Sequence, residues 1–228
     1  MVEGLRLVEE AQLAGWLPDT LLFTEGLGER GEAVLERFRE QGVEPAQVAE
    51  HVMLAAADTQ TPQGLLAVLP IRTQPLPAAP TFLLVLDGVR DPGNLGAILR
   101  TAAAAGVEGV LLAPGSADPY QPKAVRAGMG AHFRLAVQTA DWPEIEALVA
   151  GMQVYLADAA AEMPYTTADL AGPLALVIGG EAHGTGPEIT GLHPTGLHIP
   201  MPGGIESLNA AVAAGILMFE VVRQREKD

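Results

Sequence analysis

Four nearly unbroken apolar runs limit what this chain can become. They are TFLLVLD (81–87), GVLLA (109–113), MQVYLAD (152–158) and LALVIGG (174–180). A strand with one wet face alternates polar and apolar residues. These runs do not, which marks strands covered on both faces, as in a parallel sheet flanked by helices. Helical stretches at 93–105 and 141–150 fall among them. A short last strand, GLHIP (196–200), precedes the longest helix, SLNAAVAAGILMFEVVRQR (207–225). The second part of the chain therefore reads as a doubly wound α/β domain.

Upstream, PIRTQPLPAAP (70–80) carries four prolines and no helical or strand period. Proline fixes φ and removes a backbone donor, so this segment reads as an extended linker. The expected division is a small domain over 1–70, the linker over 71–80 and the larger domain over 81–228. In the small domain, residues 4–15 have helical spacing, with Leu5, Val8 and Leu13 near one face. A strand at 21–23, helices at about 29–41 and 46–54, and a strand at 64–70 follow. That alternation predicts a small α/β unit.

The 228 residues contain no cysteine. This removes disulfides, thiolate metal sites and cysteine nucleophiles, and fits a cytoplasmic protein. No run of about 18 apolar residues is present, so no membrane span is expected. The start, MVEGLRLVEEAQ, has the wrong charge for a signal peptide. Net charge is −15, from 13 basic and 28 acidic residues. Up to residue 78 there are 5 basic and 12 acidic residues, leaving 13 − 5 = 8 and 28 − 12 = 16 beyond it. Neither part is basic, so any contact with nucleic acid must come from a local patch.

Ligands of open α/β sheets bind beyond the carboxyl ends of the strands. Three glycine-rich turns fall there: DGVRDPGNLG (87–96), GGEAHGTG (179–186) and IPMPGGIESLN (199–209). Each also carries polar residues that a turn alone does not need. A dinucleotide site would require G-x-G-x-x-G directly after the first strand. Gly88, Gly93 and Gly96 have a different spacing, and no G-x-x-x-x-G-K-[ST] loop occurs. The histidines lack acidic ligands at useful spacing, so no metal is expected.

The ordered set DPGNLGAILRTAAAAG, GGEAHGTG and IPMPGGIESLNAAVA resembles the three motifs of the SpoU/TrmH branch of the SPOUT RNA 2′-O-ribose methyltransferases. KAVRAGMGAHFRLAV (123–137) is similar to the stretch between that family's first two motifs. VEGLRLVEEA and DTQTPQGLLAV (58–68) resemble the L30e-like substrate-binding domain of its rRNA-directed members. The resemblance implies a small L30e-like α/β domain followed by a SPOUT domain with a C-terminal trefoil knot, S-adenosylmethionine as cofactor, and RNA, 23S ribosomal RNA first, as substrate. It also implies a homodimer through the SPOUT domain. Its last helix would form much of the interface, although Leu208, Val212, Gly215, Ile216, Phe219 and Val222 are first expected to pack on the chain's own sheet.

By position, the resemblance gives Asn94, Arg100, Glu181, Ser207 and Asn209 to catalysis. Gly179, Gly180, Ile199, Met201 and Leu208 fall to the cofactor, and Arg90 and Arg126 to RNA. Ribose 2′-O-methylation is an in-line displacement in which the attacking oxygen loses its proton. An arginine keeps its own proton at neutral pH. The reading adopted for Arg100 is therefore phosphate binding and stabilisation of the developing oxyanion, rather than proton removal. Ser207 is expected to donate to substrate, to cap the last helix, or both, and Asn209 to bind, since the earlier residue would satisfy the cap. Family members commonly have serine where this chain has Gly128. The alternatives are a tRNA ribose methyltransferase, a non-catalytic RNA-binding or ribosome-assembly factor, and an enzyme acting on a small nucleotide-like molecule.

Overall fold

The computed structural model describes residues 1–180 and 185–226. Its N-terminal unit holds β1 (Val2–Glu3), α1 (Leu5–Leu13), β2 (Thr20–Phe23), α2 (Gly28–Glu40), β3 (Ala46–Gln47), α3 (Glu50–Ala56) and β4 (Leu65–Val68). The four strands form one sheet in the order β1-β4-β2-β3. The expected helix at 46–54 is corrected here. Residues 46–47 pair with β2, Val48 donates its amide to the Phe23 carbonyl, and the helix starts only at Glu50. Leu13 is also corrected. It is 69% exposed, because the buried side of α1 is set by Leu7, Val8 and Ala11.

The second unit comprises β5 (Phe82–Asp87), α4 (Pro92–Ala104), β6 (Gly109–Leu112), α5 (Pro122–Gly128), β7 (Ala136–Thr139), α6 (Trp142–Leu148), β8 (Gln153–Ala157), β9 (Met163–Pro164), β10 (Leu174–Gly179), β11 (Thr195–His198) and α7 (Ala210–Arg225). Its seven strands run in the order β7-β6-β5-β10-β8-β11-β9, and every pairing is parallel. The apolar runs are buried on both faces as their composition predicts. Phe82, Leu84 and Leu86 face the layer that includes α4 and α7, while Leu83 and Val85 face the layer that includes α6. Each such fully buried leucine contributes about 1.5–3 kcal/mol. From β5 the chain winds outward through β6 and β7, then returns to lay β8 and β10 on the other side. The crevice of the fold therefore opens at the carboxyl ends of β5 and β10.

Two features of α7 differ from expectation. The helix begins at Ala210, and Asn209 rather than Ser207 caps it, accepting from the amides of Ala211 and Val212. Its buried side is Ala210, Ala214, Leu217, Met218 and Val221. Val212 and Phe219 of the predicted stripe are 51% and 49% exposed. The helix is apolar on two faces, and the one rich in small residues is the one that reaches α4. Gly215 lies there, its missing Cβ position 3.6 Å from the Thr101 methyl.

The two units share packing. Val125 and Phe133 belong to the same buried cluster as Val8, Leu35 and Phe38. Trp16 meets Phe133 edge-on at 5.2 Å, Arg72 covers Trp16, and Gln74 donates to the Phe133 carbonyl. Ion pairs Arg126–Asp58 and Arg134–Glu10, both at 2.6 Å, flank this contact.

Behind it lies His132, 4% exposed, with Nε2 2.7 Å from the Pro119 carbonyl and a buried Nδ1 that has no hydrogen-bond partner among the described residues. A Cβ on Gly128 would come within 2.7 Å of this ring. The imidazole thus crowds the place where any side chain at position 128 would begin. Burial holds the His132 pKa below the ordinary 6.5, against the opposing pull of the Pro119 hydrogen bond. The unfolded chain then takes up the proton first. Its contribution to stability is complete above about pH 6.5 and is lost as pH falls below that value. Thermal melts from pH 7.5 to 5.5 should show a falling midpoint, and His132→Phe should flatten that slope whatever its absolute midpoint. An equally steep slope in the variant would assign the effect to other groups.

Candidate active site at the ends of β5 and β10

Two cavities open side by side in the crevice, and Gly180 lines both. The first has a volume of about 460 Å³. Its walls include Gly179, Gly180, Ile199, Met201, Ser207, Leu208 and Asn209, with Asp158, Ile178 and Leu197 completing it. All five residues assigned by sequence to the cofactor therefore stand around one space. That space is mainly apolar, with backbone from Gly179 and Gly180 on one side and the Asp158 carboxylate at its edge. Such a lining suits a nucleoside whose base is buried and whose hydroxyls need an acceptor.

The second cavity, about 470 Å³, is lined by Asp87, Arg90, Asp91, Asn94, Trp142, Gly180 and Glu188, among others. Asn94 sits in the first turn of α4. Asp91 caps that helix by accepting from the Asn94 amide, and Pro92 opens it, which fixes where the Asn94 side chain emerges. Lys123 pairs with Asp91 at 2.8 Å. This ion pair, reinforced by the cap amide, holds the Asp91 carboxyl below the usual carboxylate range.

A direct bond joins the first and third motifs. Asn209 Nδ2 donates to Asn94 Oδ1 at 3.0 Å across 115 residues. Asn209 therefore both caps α7 and spans the site, taking the cap that was expected of Ser207. Ser207 is exposed and lines the first cavity. Glu181 lies outside the described residues.

The arginines fall in different places. Arg100 is exposed on α4, lines neither cavity, and makes no ion pair or hydrogen bond among the described residues. Arg90 stands at the mouth of the second cavity. Arg126 lines neither cavity. It lines a groove between the two units together with Arg6, Thr59 and Gln63, and its guanidinium is held by Asp58. No cluster of three or more metal-binding side chains occurs among the described residues.

Sequence reasoning passed over Asp87. It ends β5, is 7% exposed, and grips both ends of the second glycine turn. Its carbonyl accepts from the Gly180 amide at 2.8 Å, and its carboxylate accepts from the Gly186 amide at 2.6 Å. Gly180 must be glycine for this approach, since a Cβ there would lie 2.2 Å from the Gly88 carbonyl oxygen. The available signal was an acidic residue ending an otherwise apolar strand. Its partner is 99 residues away, which hid its use.

Comparison with known proteins agrees with this geometry. Residues 81–219 match the model of the SpoU rRNA Methylase family, and residues 1–67 match the MRM3-like substrate binding domain. The chain is 33% identical to the 23S rRNA (guanosine(2553)-2′-O)-methyltransferase RlmP of Bacillus subtilis, covering 97% of this chain and 87% of that one. The crystal structure of an AdoMet-bound rRNA methyltransferase from Sinorhizobium meliloti superimposes with a TM-score of 0.85 at 33% identity, covering 97% of this chain and 86% of that one. AviRb from Streptomyces viridochromogenes, solved in complex with AdoMet, gives a TM-score of 0.86 at 30% identity, covering 99% and 89% of the two chains. With its parallel sheet, its three motifs gathered in one crevice and a family model matched from β5 into the last helix, the chain belongs to the SpoU rRNA methylase family.

Proposed function

We propose that this protein is an S-adenosylmethionine-dependent methyltransferase that modifies a ribose 2′-hydroxyl in RNA, with 23S rRNA as its substrate. The observation that carries the reading is the pair of cavities meeting at Gly180, bridged by the Asn209–Asn94 hydrogen bond. One cavity has the apolar lining a nucleoside cofactor requires. The other opens beside Asn94, where an acceptor ribose must lie. The match over the whole chain to an enzyme named for 23S rRNA favours that substrate over tRNA.

When bound in the first cavity, S-adenosylmethionine supplies an electrophilic methyl group. The protein's part is alignment and electrostatics. Backbone at Gly179, Gly180 and Leu208, with the side chains of Ile199 and Met201, fixes the donor. Asn94 and Asn209 hold the first and third motifs at a set separation. Arg100 would contribute a guanidinium for the acceptor's phosphate and for charge growing on the 2′-oxygen; already protonated, it takes no proton from that oxygen, whose proton passes to water. Glu181 and Ser207 support that arrangement.

Several further assignments belong to the same proposal. Residues 1–70 form an L30e-like RNA-docking unit, 71–80 a linker and 81–228 a catalytic SPOUT domain. The C-terminal strands and α7 form a trefoil knot, a reading supported by β10 lying between β5 and β8 while α7 returns against α4. The enzyme acts in the cytoplasm as a homodimer. Val212 and Phe219, exposed on α7, supply an apolar face for the second copy. Arg90 and the interdomain pair Arg6 and Arg126 meet RNA phosphate.

Calorimetry should register S-adenosylmethionine binding, and mapping of 2′-O-methyl groups should show one 23S position lost when the gene is deleted. Absence of cofactor binding would overturn the methyltransferase reading. Binding without any change in rRNA would move the substrate to tRNA or a small nucleotide.

A further inference from the structure

The second cavity has a use beyond giving access to the ribose. Among the described residues its walls carry Asp87, Glu188 and Asp91, the last paired with Lys123, and the one cation in that lining is Arg90. A phosphate is repelled by such an interior. A neutral group rich in N–H donors is not. Trp142, half-buried at the start of α6, supplies an aromatic wall, and the volume of about 470 Å³ accommodates a nucleobase.

Asp87 sets the chemistry of that interior. One carboxylate oxygen, Oδ2, is occupied by the Gly186 amide, while Oδ1 has no hydrogen-bond partner among the described residues. An ionised carboxylate is acceptor-only, with about four lone-pair sites, so it can receive paired donors. Among the four RNA bases, guanine alone presents two adjacent donors, N1–H and N2–H₂, on its Watson–Crick edge. Adenine and cytosine present one amino group beside an acceptor, and uracil one N–H between two acceptors. We propose that this cavity takes the base of the acceptor nucleotide, unstacked from its RNA, and selects guanine through Asp87 with Trp142 against the ring face. This inference rests on the methyltransferase reading of the adjoining cavity.

The Gly186 amide makes the test clean. In Asp87→Asn, the amide oxygen must face Gly186 N–H, because two donors cannot meet. The new NH₂ is then forced toward the cavity, turning acceptor into donor while the loop anchor survives. The four nucleoside monophosphates would be titrated against the full chain saturated with S-adenosylhomocysteine, following tryptophan fluorescence in the wild type and in Trp142→Phe. Equilibrium dialysis with labelled guanosine monophosphate provides a second readout. Guanosine monophosphate is expected to bind at least about 10-fold more tightly than the other three, the scale of one good bidentate contact. Its quench should be absent in Trp142→Phe and its preference lost in Asp87→Asn.

Equal binding of all four nucleotides, no binding of any, or guanine preference persisting in Asp87→Asn would each overturn the base-pocket proposal. None of these outcomes touches the methyltransferase reading, which fails separately if S-adenosylmethionine itself does not bind.

Discussion

Arg100→Ala is expected to bind S-adenosylmethionine normally and to transfer its methyl group at least about 100-fold more slowly. Removing one donor that stabilises a developing oxyanion commonly costs 10²–10³ in rate. The separation of effects follows from where the residue lies. Arg100 is exposed, has no partner among the described residues and does not line the cofactor cavity. Its removal should therefore change stability by no more than about 0.5 kcal/mol. Arg100→Lys refines the point, because lysine keeps the charge but loses the planar fork. A rate between wild type and alanine supports a fork that holds phosphate and oxyanion together. Near-normal turnover in Arg100→Ala would remove the residue from the chemistry.

The second large effect is expected at Gly180. In Gly180→Ala the new methyl carbon would lie 2.2 Å from the Gly88 carbonyl oxygen and 2.9 Å from its carbon, both backbone atoms that cannot swing aside. The ends of β5 and β10 must part, and the bond from the Gly180 amide to Asp87 lengthens or breaks. Overpacking of this kind costs about 1–3 kcal/mol, or roughly 2–4 °C of melting temperature per kcal/mol in a chain of this size. Because Gly180 lines both cavities, cofactor affinity should fall by about 10-fold or more. Gly172→Ala is the control, since its Cβ meets nothing within 4 Å. Equal melting temperatures and affinities in the two variants would show that the contact at Gly88 relaxes freely.

The larger sheet was legible because its strands are buried on both faces, and continuous apolar runs announce that state directly. The two-residue strands β1, β3 and β9 left no such mark; backbone pairing creates them and no side-chain period reports it. The segment containing α5 and β7 was recognisable as a motif but not as elements, because glycines at 128 and 130 interrupt it within a few residues. On α7 the spacing correctly gave a helix but not its orientation. A helix with apolar residues on two sides offers two stripes, and only the approach of α4 decides which is covered.

At the site, the glycine-rich turns marked where a ligand would lie, but the residues around the first cavity were named only through the resemblance of those turns to the family's motifs. The hydrogen bonds that join those turns were not legible. Asn94 and Asn209 are 115 residues apart, as Asp87 and Gly186 are 99 apart. Each pair is created by the sheet order, and a linear reading contains no trace of it.

The shared packing of Trp16, Val125 and Phe133, with its two flanking ion pairs, has a consequence for how a target is chosen. A recognition unit on a loose tether would sweep an arc and touch many riboses. Here packed side chains set the span from the groove at Arg6 to the crevice at Asn94, so an RNA docked in that groove, as proposed, would meet the crevice one fixed stride away, as between the jaws of a caliper. Lengthening the proline-rich segment should then leave the modified position unchanged, because the jaws are set by packed side chains and the strap between them only follows.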